Sequence, residues 1–491
     1  MILAIDIGTT RIKAALFDSE GNSLKLELLD LPDEGSNSYQ EIDARVWLKA
    51  FSEIISRLIS AGEQNDLRAI VICGNGPTIL PIDEKGEPIA PAITWLDRRA
   101  QKEAKEASIA LNYSLDAAFN LPKILWMKRQ TPNIYEKANL FVSCPEFIAG
   151  RLTGEWTTCL PNQGYKRIIW DRRALEMLEL DVEKFPRFIG VGEIVGHIHD
   201  YAAKEFGLPK GLPVVMAGPD FIASLLGTAT VKPGRTCDKA GTSEGINLCS
   251  ERDIGDVEAL LVMPHIIAPY FNISGVISSS GIALSWFRSR FLPKEDFETI
   301  YSRVASTKPG AEGLVFLPYL AGERSPHWDP NARAVFLGLG LHHDLNMMAR
   351  AVLEGTAFAI REVLDVMESS GASVKDMRAT GTPSLSPVWN QIKADITRKR
   401  LMVSSFPEPE LAGCLAIGRF ALGEESTLTE AAERVFIPAE IFEPRNDTES
   451  MYCDLYEVYI DSYRRLADLF PAISGLQKNA IVQQGPFGKG F

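Results

Sequence analysis

Two polar turns of similar composition, Gly8-Thr9-Thr10 and Gly241-Thr242-Ser243, each lie between apolar runs. The first is the tighter constraint. Ile2-Leu3-Ala4-Ile5-Asp6-Ile7 enters it, Arg11-Ile12-Lys13-Ala14-Ala15-Leu16-Phe17 leaves it, and Ser19-Glu20-Gly21-Asn22 follows as a turn cluster. That pattern is a β-hairpin beginning almost at residue 1. An Asp ending the first strand before a Gly-Thr-Thr turn is unusual for a merely structural hairpin. Gly8 lets the backbone approach a ligand, and free backbone N–H groups with the Thr9 and Thr10 hydroxyls can donate to phosphate oxygens. Asp6 can hold Mg²⁺ beside them, directly or through water. An ordinary hairpin with a glycine turn fits the same residues, because short motifs have many chance matches. The echo at Gly241 suggests two related domains that face each other across a nucleotide.

The chain has 491 residues, long for one hydrophobic core, so two domains are expected. Its net charge of −13, without a basic cluster, argues against nucleic acid or a membrane surface as partner. Seven scattered cysteines without a C-x-x-C pair suit free buried thiols in a reducing compartment. His197-Ile198-His199 alternates as a strand does, but no Cys or carboxylate cluster accompanies it to make a metal site. Residues 259–287 carry no Asp, Glu, Lys or Arg, yet prolines, glycines and serines interrupt them; strands, turns and a helix are expected rather than a membrane span. With no signal-peptide pattern at the start, the expected location is cytoplasmic.

Along the chain, Leu67–Cys73 reads as a buried strand running into Gly74-Asn75-Gly76-Pro77, and ligands bind at such strand ends in open α/β sheets. Ala92-Ile93-Thr94-Trp95-Leu96-Asp97-Arg98-Arg99 ends a strand in an aromatic ring, a carboxylate and two guanidiniums. Trp95 and Asp97 suit a polyhydroxylated ligand; a capped helix start with solvated arginines suits them equally. Arg167–Asp171 is strand-like. Pro213–Ala217 is a strand ending in Gly218-Pro219-Asp220, with Asp220 at an N-cap position. Glu354-Gly355-Thr356-Ala357 lies in a long helix and invites a close neighbour. The loop at residues 321–333 is dense in charged and aromatic residues, which looks functional or interdomain. Glu410–Gly418 is a small-residue helix suited to close packing or to a flat ring. Glu449–Phe470 is a final amphipathic helix and Gly485–Phe491 a loose tail.

Taken together, these segments resemble the FGGY carbohydrate kinases, the sugar and polyol kinases of the actin/hexokinase-like ATPase fold. The matching residues are the Asp6 hairpin, Ala92–Arg99, Ala217-Gly218-Pro219-Asp220, Gly241-Thr242-Ser243, Phe316-Leu317-Pro318-Tyr319-Leu320-Ala321-Gly322-Glu323-Arg324-Ser325-Pro326 and Ser386-Pro387-Val388-Trp389-Asn390-Gln391. The run at Phe316 looks most like the xylulokinase branch. The resemblance implies an α/β chain of two ribonuclease-H-like domains with a cleft between them, at 1–232 and 233–470, and a tail at 471–491. It implies ATP and Mg²⁺ as cofactors, with the metal on Asp6. Gly8, Thr9, Thr10, Lys13, Gly241 and Thr242 would hold phosphates, and Gly381 and Gly413 would line the adenosine pocket. Asp220 would be the general base. Asn75, Gly76, Pro77, Trp95, Asp97 and Phe221 would meet the acceptor.

The implied reaction moves the γ-phosphate to a primary hydroxyl of a ketose or polyol, with xylulose favoured. A glycerol, erythritol, ribulose or gluconate kinase is the alternative within the family, and a non-catalytic nucleotide- and sugar-binding relative the alternative outside catalysis. A homodimer stays open. The chain departs from the family pattern at Gly74-Asn75-Gly76-Pro77, where long polar side chains are usual. Phe221 replaces the amide usual after the catalytic Asp, which suggests a smaller or more apolar acceptor site. Thr382 and Pro383 replace glycines of the adenosine turn. Glu244, beside the second phosphate-type turn, has no role in this reading.

Overall fold

The computed structural model describes residues 1–32, 41–59, 62 and 64–483. The tail at 484–491 lies outside them. The chain divides into two compact units. The first comprises 1–231, 266–268 and 408–436; the second comprises 232–265, 269–407 and 437–491.

The first unit is built on a six-stranded sheet of β1 (Ile2–Ile7), β2 (Arg11–Phe17), β3 (Ser23–Asp30), β4 (Ala69–Gly74), β5 (Ile194–His197) and β6 (Pro213–Pro219), in the order β5-β6-β4-β1-β2-β3. β1 and β4 are buried at every position. Apart from Asp6 in β1, their apolar composition is what a strand covered on both faces requires. β1 pairs antiparallel with β2 and parallel with β4, and β4 pairs parallel with β6. The second unit repeats this pairing. β7 (Arg235–Ala240) and β8 (Glu244–Ser250) form the hairpin, and β8 pairs with β10 (Phe271–Ile277), which also pairs with β9 (Leu261–Pro264). On the other side β7 runs parallel to β11 (Asp376–Thr380), β11 runs parallel to β12 (Arg400–Ser404), and β13 (Pro438–Phe442) closes the edge. The duplication expected from two three-residue turns is therefore a duplication of sheet topology.

Helices fill the faces. The helix Ala44–Leu58, capped by Asp43 accepting from the Arg45 N–H, packs on β2 and β3. The helix Cys144–Thr153 packs on β4 and β6. The small-residue helix Pro409–Ala421 belongs with the first unit, against the expectation that 233–470 forms one domain. Its glycines explain this. A Cβ on Gly413 would stand 1.9 Å from the Ala223 carbonyl oxygen, and one on Gly227 would stand 1.9 Å from that of Pro409. Two glycines thus bring this helix and Asp220–Gly227 into backbone contact, a spacing no other residue allows. In the second unit the long helix Leu345–Ser369 uses Gly355 likewise, against the Phe316 carbonyl at 2.1 Å. The Arg350–Glu354 ion pair (2.7 Å) on that helix is buried with Tyr452, whose hydroxyl donates to Glu354 at 2.8 Å.

Several expectations need correction. Arg167–Asp171 is not a strand: Gln163–Arg167 is a 3₁₀ turn initiated by Asn162, which accepts from Gly164 N–H. His199 is not paired with His197 on a strand face, because its Nδ1 accepts from Ala202 N–H and caps the next helix. Pro219 occupies the N-cap and Asp220 is the first helical residue. The final helix ends at Leu466, and a further helix, Phe470–Gln483, takes up most of the expected tail.

Replacing Gly413 with Val is expected to destabilise the first unit by about 3 kcal/mol or more, since neither backbone can yield. A denaturant midpoint within about 0.5 kcal/mol of the wild type would contradict the described helix crossing.

Candidate active site

Parallel pairing sets the carboxyl ends of β1, β4 and β6 on one edge, with Ile7 and Pro219 both in register with Gly74. The turn after β1, the loop after β4 and the helix after β6 therefore start side by side. Gly8 N–H donates to the Arg11 carbonyl at 2.9 Å, and a Cβ on Gly8 would meet that oxygen at 2.5 Å, so the turn requires glycine. The Thr9 hydroxyl accepts from Trp95 Nε1 at 3.0 Å. Thr10 is exposed.

Asp6 is buried, and Lys13 stands opposite it in the hairpin register. The Lys13 ammonium lies 4.0 Å from Asp6 Oδ2, 2.6 Å from Glu408 and 3.4 Å from Glu410. Burial acts to lower its pKa, but Glu410, Asp6 and Glu408 outweigh burial and hold it above the ordinary lysine value. Glu410 also accepts from Ser224 Oγ at 3.2 Å. Glu408 and Glu410 were not singled out from sequence. Their one signal is acidic placement at the start of the small-residue helix, Glu408 at its N-cap and Glu410 in its first turn. Asp220 is half-buried, and its Oδ1 accepts from Phe221 N–H at 2.8 Å. Burial pushes the pKa of the Cys144 thiol up, and the charges of Asp6, Asp220 and Glu146 add to it.

Two expected acceptor ligands are otherwise engaged. Asn75 is buried; its Nδ2 donates to the Ile7 carbonyl at 2.9 Å and its Oδ1 accepts from the Thr78 hydroxyl. Asp97 is buried and bound to Arg99, through the Arg99 N–H at 2.9 Å and the guanidinium at 2.6 and 2.7 Å. The capped-turn reading of Asp97 is thus the one the structure supports. Asn75 nevertheless lines, with Gly76, Pro77 and Phe221, a cavity of about 90 Å³ whose wall also includes Tyr165, Ile168 and Pro219. Its lining is mainly apolar, and among the described residues it contains no lysine or arginine. Glu146 also lines it; burial pushes that carboxyl up to about 7, although Ser143 and Cys159 N–H groups donate to it.

Behind this cavity lies a residue that sequence reading passed over. Lys123 is fully buried, and its ammonium donates to the carbonyls of Pro77 (3.0 Å) and Thr94 (2.7 Å). Burial lowers its pKa to about 7, with Asp97 opposing and Arg98 and Arg99 reinforcing. The available signal was a lysine embedded in the apolar run Leu121-Pro122-Lys123-Ile124-Leu125.

The second unit carries a larger cavity of about 1030 Å³, lined by Gly241, Thr242, Gly281, Tyr301, Pro383 and Trp389 among others. The turn and the start of the helix Gly281–Phe291 are knitted together: Gly281 N–H donates to the Gly241 carbonyl (2.9 Å), and Ser280 N–H to that of Thr242 (3.1 Å). Gly381 has φ +86°, and a Cβ there would strike the Ala240 carbonyl at 1.9 Å. It directly precedes Thr382 and Pro383, which line the cavity, whereas Gly413, expected to line an adenosine pocket, is occupied by the helix crossing of the first unit. Glu244 now has a role. With Asp238 and Lys393 it forms a fully buried triad beneath the turn. Lys393 Nζ contacts Asp238 at 2.8 Å and also Glu244, which accepts from Ser280 Oγ. Burial opposes both carboxylates. The neighbouring Glu244 adds to it and keeps Asp238 well above the usual carboxylate range, whereas Lys393 holds Glu244 below it. The expected functional loop at 321–333 is braced from within, since Glu323 accepts from Ser278 (2.6 Å) and Arg324 (2.7 Å) N–H groups.

Residues 1–227 match the N-terminal domain of the FGGY family of carbohydrate kinases, and residues 239–422 match its C-terminal domain. The chain belongs to the FGGY family of carbohydrate kinases. It is similar to a xylulose kinase of Staphylococcus epidermidis, with 28% identity over 96% of this chain and 97% of the relative. It is 26% identical to a gluconokinase of Bacillus subtilis over 98% and 99% of the two chains. A solved ligand-bound xylulose kinase of Lactobacillus acidophilus shares the fold, with a TM-score of 0.84 at 22% identity over 96% of this chain and 99% of that one. An FGGY carbohydrate kinase is a phosphotransferase. No described helix is long and apolar enough to cross a membrane.

Lys393→Met is expected to cost about 3–5 kcal/mol of stability, because it strands the buried Glu244 charge. A loss below about 1 kcal/mol in chemical denaturation would show that the triad is not charged as described.

Proposed function

We propose that this FGGY carbohydrate kinase transfers the γ-phosphate of ATP to a primary hydroxyl of a neutral ketose or polyol, with xylulose the favoured acceptor. The observation that carries the reading is the shared strand edge of the first unit. It sets a phosphate-type glycine turn, a small acceptor cavity and the half-buried Asp220 on three neighbouring strands. Xylulose kinases and gluconokinases among the relatives bound the acceptor class. The cavity lining favours the neutral sugar over the aldonate, since it offers Glu146 and no cation.

The residues suit Mg²⁺. The described residues hold no group of three or more His, Cys, Asp and Glu side chains arranged for a metal. Mg²⁺ does not need one, because it is usually bound by one or two carboxylates together with substrate phosphates and water. Asp6, beside the Gly8-Thr9-Thr10 turn, is such a carboxylate, and the bound ion would offset phosphate charge. Gly8, Thr9 and Thr10, and in the second unit Gly241 and Thr242, would cradle phosphates. The aromatic wall of Tyr301 and Trp389 would take the adenosine, with Gly381 leading into Thr382 and Pro383 of the same cavity.

Phosphoryl transfer passes through a loose transition state, so positioning and charge neutralisation do most of the work. Asp220 would orient the acceptor hydroxyl and take its proton late, when the oxygen has bonded to phosphorus. Pro77, Pro219 and Phe221 would keep water from that hydroxyl, which limits wasteful hydrolysis.

ADP release measured across C3 to C7 ketoses, polyols and aldonates tests the acceptor class; turnover confined to aldonates would overturn the neutral-acceptor reading. Asp220→Asn is expected to lower kcat by about 10²–10⁴ while leaving ATP affinity near the wild-type value. Near-normal turnover in that variant would remove Asp220 from its role.

A further inference from the structure

Two segments of the first unit were expected to meet the acceptor: the loop after β4, with Gly76 and Pro77, which lines the cavity, and the segment at Trp95. A pair of backbone bonds between Ile79 and Ile93 (3.0 and 2.9 Å) joins the two segments beyond the site, and at Pro77 and Thr94 themselves the link is the Lys123 ammonium. Its Nζ donates 3.0 Å to the Pro77 carbonyl and 2.7 Å to the Thr94 carbonyl, from the helix Asn120–Gln130. Pro77 lines the acceptor cavity, as do Phe119 and Asn120 at the start of that helix. The residue after Thr94 is Trp95, whose indole N–H reaches Thr9 of the phosphate-type turn at 3.0 Å. A continuous series of contacts thus runs from the cavity wall, through one ammonium, to the phosphate turn.

An ammonium in that place needs a reason. Lys123 is fully buried and no carboxylate is within ion-pair distance among the described residues. Taking an ammonium from water without a close counter-charge is costly, and an apolar residue of similar length would fill the space at less expense in stability. What an apolar residue cannot do is bind two carbonyls at once and so fix the spacing of two loops.

We propose that Lys123 is a positioning residue for acceptor binding, holding the Pro77 loop and the Trp95 segment at the spacing the acceptor requires. The inference rests on the reading of this cavity as the acceptor site. The charged groups around Lys123 are Asp97, which favours its ammonium, and Arg98 and Arg99, which oppose it. With burial they bring its pKa to about 7, below the ordinary 10.5. Raising the pH through that value removes one of three N–H groups and the positive charge, so both carbonyl bonds weaken while the amine keeps two donors.

The test is steady-state kinetics of the full chain with the best acceptor from an ADP-release panel. Lys123→Met keeps the length of the side chain and removes both bonds. Its acceptor KM is expected to rise about tenfold or more, with the KM for ATP within about twofold of wild type, as a misplaced binding wall would give. Lys123→Gln, which retains an NH₂ donor, should fall between. In the wild type the acceptor KM should climb from pH 6.5 to 8 relative to that of Lys123→Met. A fall in kcat with both KM values unchanged would mark Lys123 as merely structural and overturn the proposal. If neither variant folds, a wild-type acceptor KM that is flat across this pH range overturns it equally. Failure of the underlying reading looks different: the wild type itself would then turn over no acceptor.

Discussion

The parallel pairing of β4 with β1 on one side and β6 on the other is the constraint from which the first unit's site follows. Three strands that run the same way must end on the same edge. Residues 7, 74 and 219 are far apart in sequence and adjacent there. Everything proposed to touch acceptor, phosphate or metal in this unit is attached within a few residues of that edge. The second unit repeats the arrangement with β7 and β11, in register from Arg235 and Asp376 to Lys239 and Thr380. Its turn at Gly241 and its segment at Gly381 therefore also leave from one edge. A chain built this way gains its site from topology, and side chains then refine it.

The refinement is electrostatic and largely hidden. Three lysines, Lys123 and Lys393 fully buried and Lys13 partly so, stand behind the three key loops. Lys13 sits among carboxylates beneath the first turn, Lys393 between Asp238 and Glu244 beneath the second, and Lys123 on two bare carbonyls behind the acceptor cavity. The first two are held well above the ordinary lysine value by their partners despite burial, and the third is drawn down to about 7 by burial. The difference is physical: an ammonium paired with a carboxylate recovers its lost hydration, and one bonded to neutral carbonyls recovers less. Loops held by buried charge are held firmly, which suits a reaction that depends on placement.

Much of this was legible in the residues. Apolar runs, interrupted in β1 only by Asp6, marked β1 and β4, because strands covered on both faces carry no alternation. Glycine between such runs, beside Asp6 and two threonines, marked the turns, and the ordered motifs carried the family. What stayed hidden depends on partners that sequence does not display. Asp97 looks like a ligand until Arg99 folds back on it, and the bonds of Asn75 to the Ile7 carbonyl and Thr78 are invisible in its loop's composition. Residues 408–436 interrupt the second unit in sequence and pack in the first, because Gly413 and Gly227 permit a backbone contact that composition alone leaves open. Lys123 and Glu410 were passed over because a charged residue in an apolar or small-residue helix reads as solvated until its burial is known.

The most direct test of the account is the fate of the γ-phosphate itself. With γ-labelled ATP, Mg²⁺ and xylulose, the label should appear in an acid-stable monoester whose ³¹P signal is coupled to the protons of a terminal CH₂ group. Label recovered only as inorganic phosphate, with xylulose and every other neutral acceptor unmodified, would contradict the account.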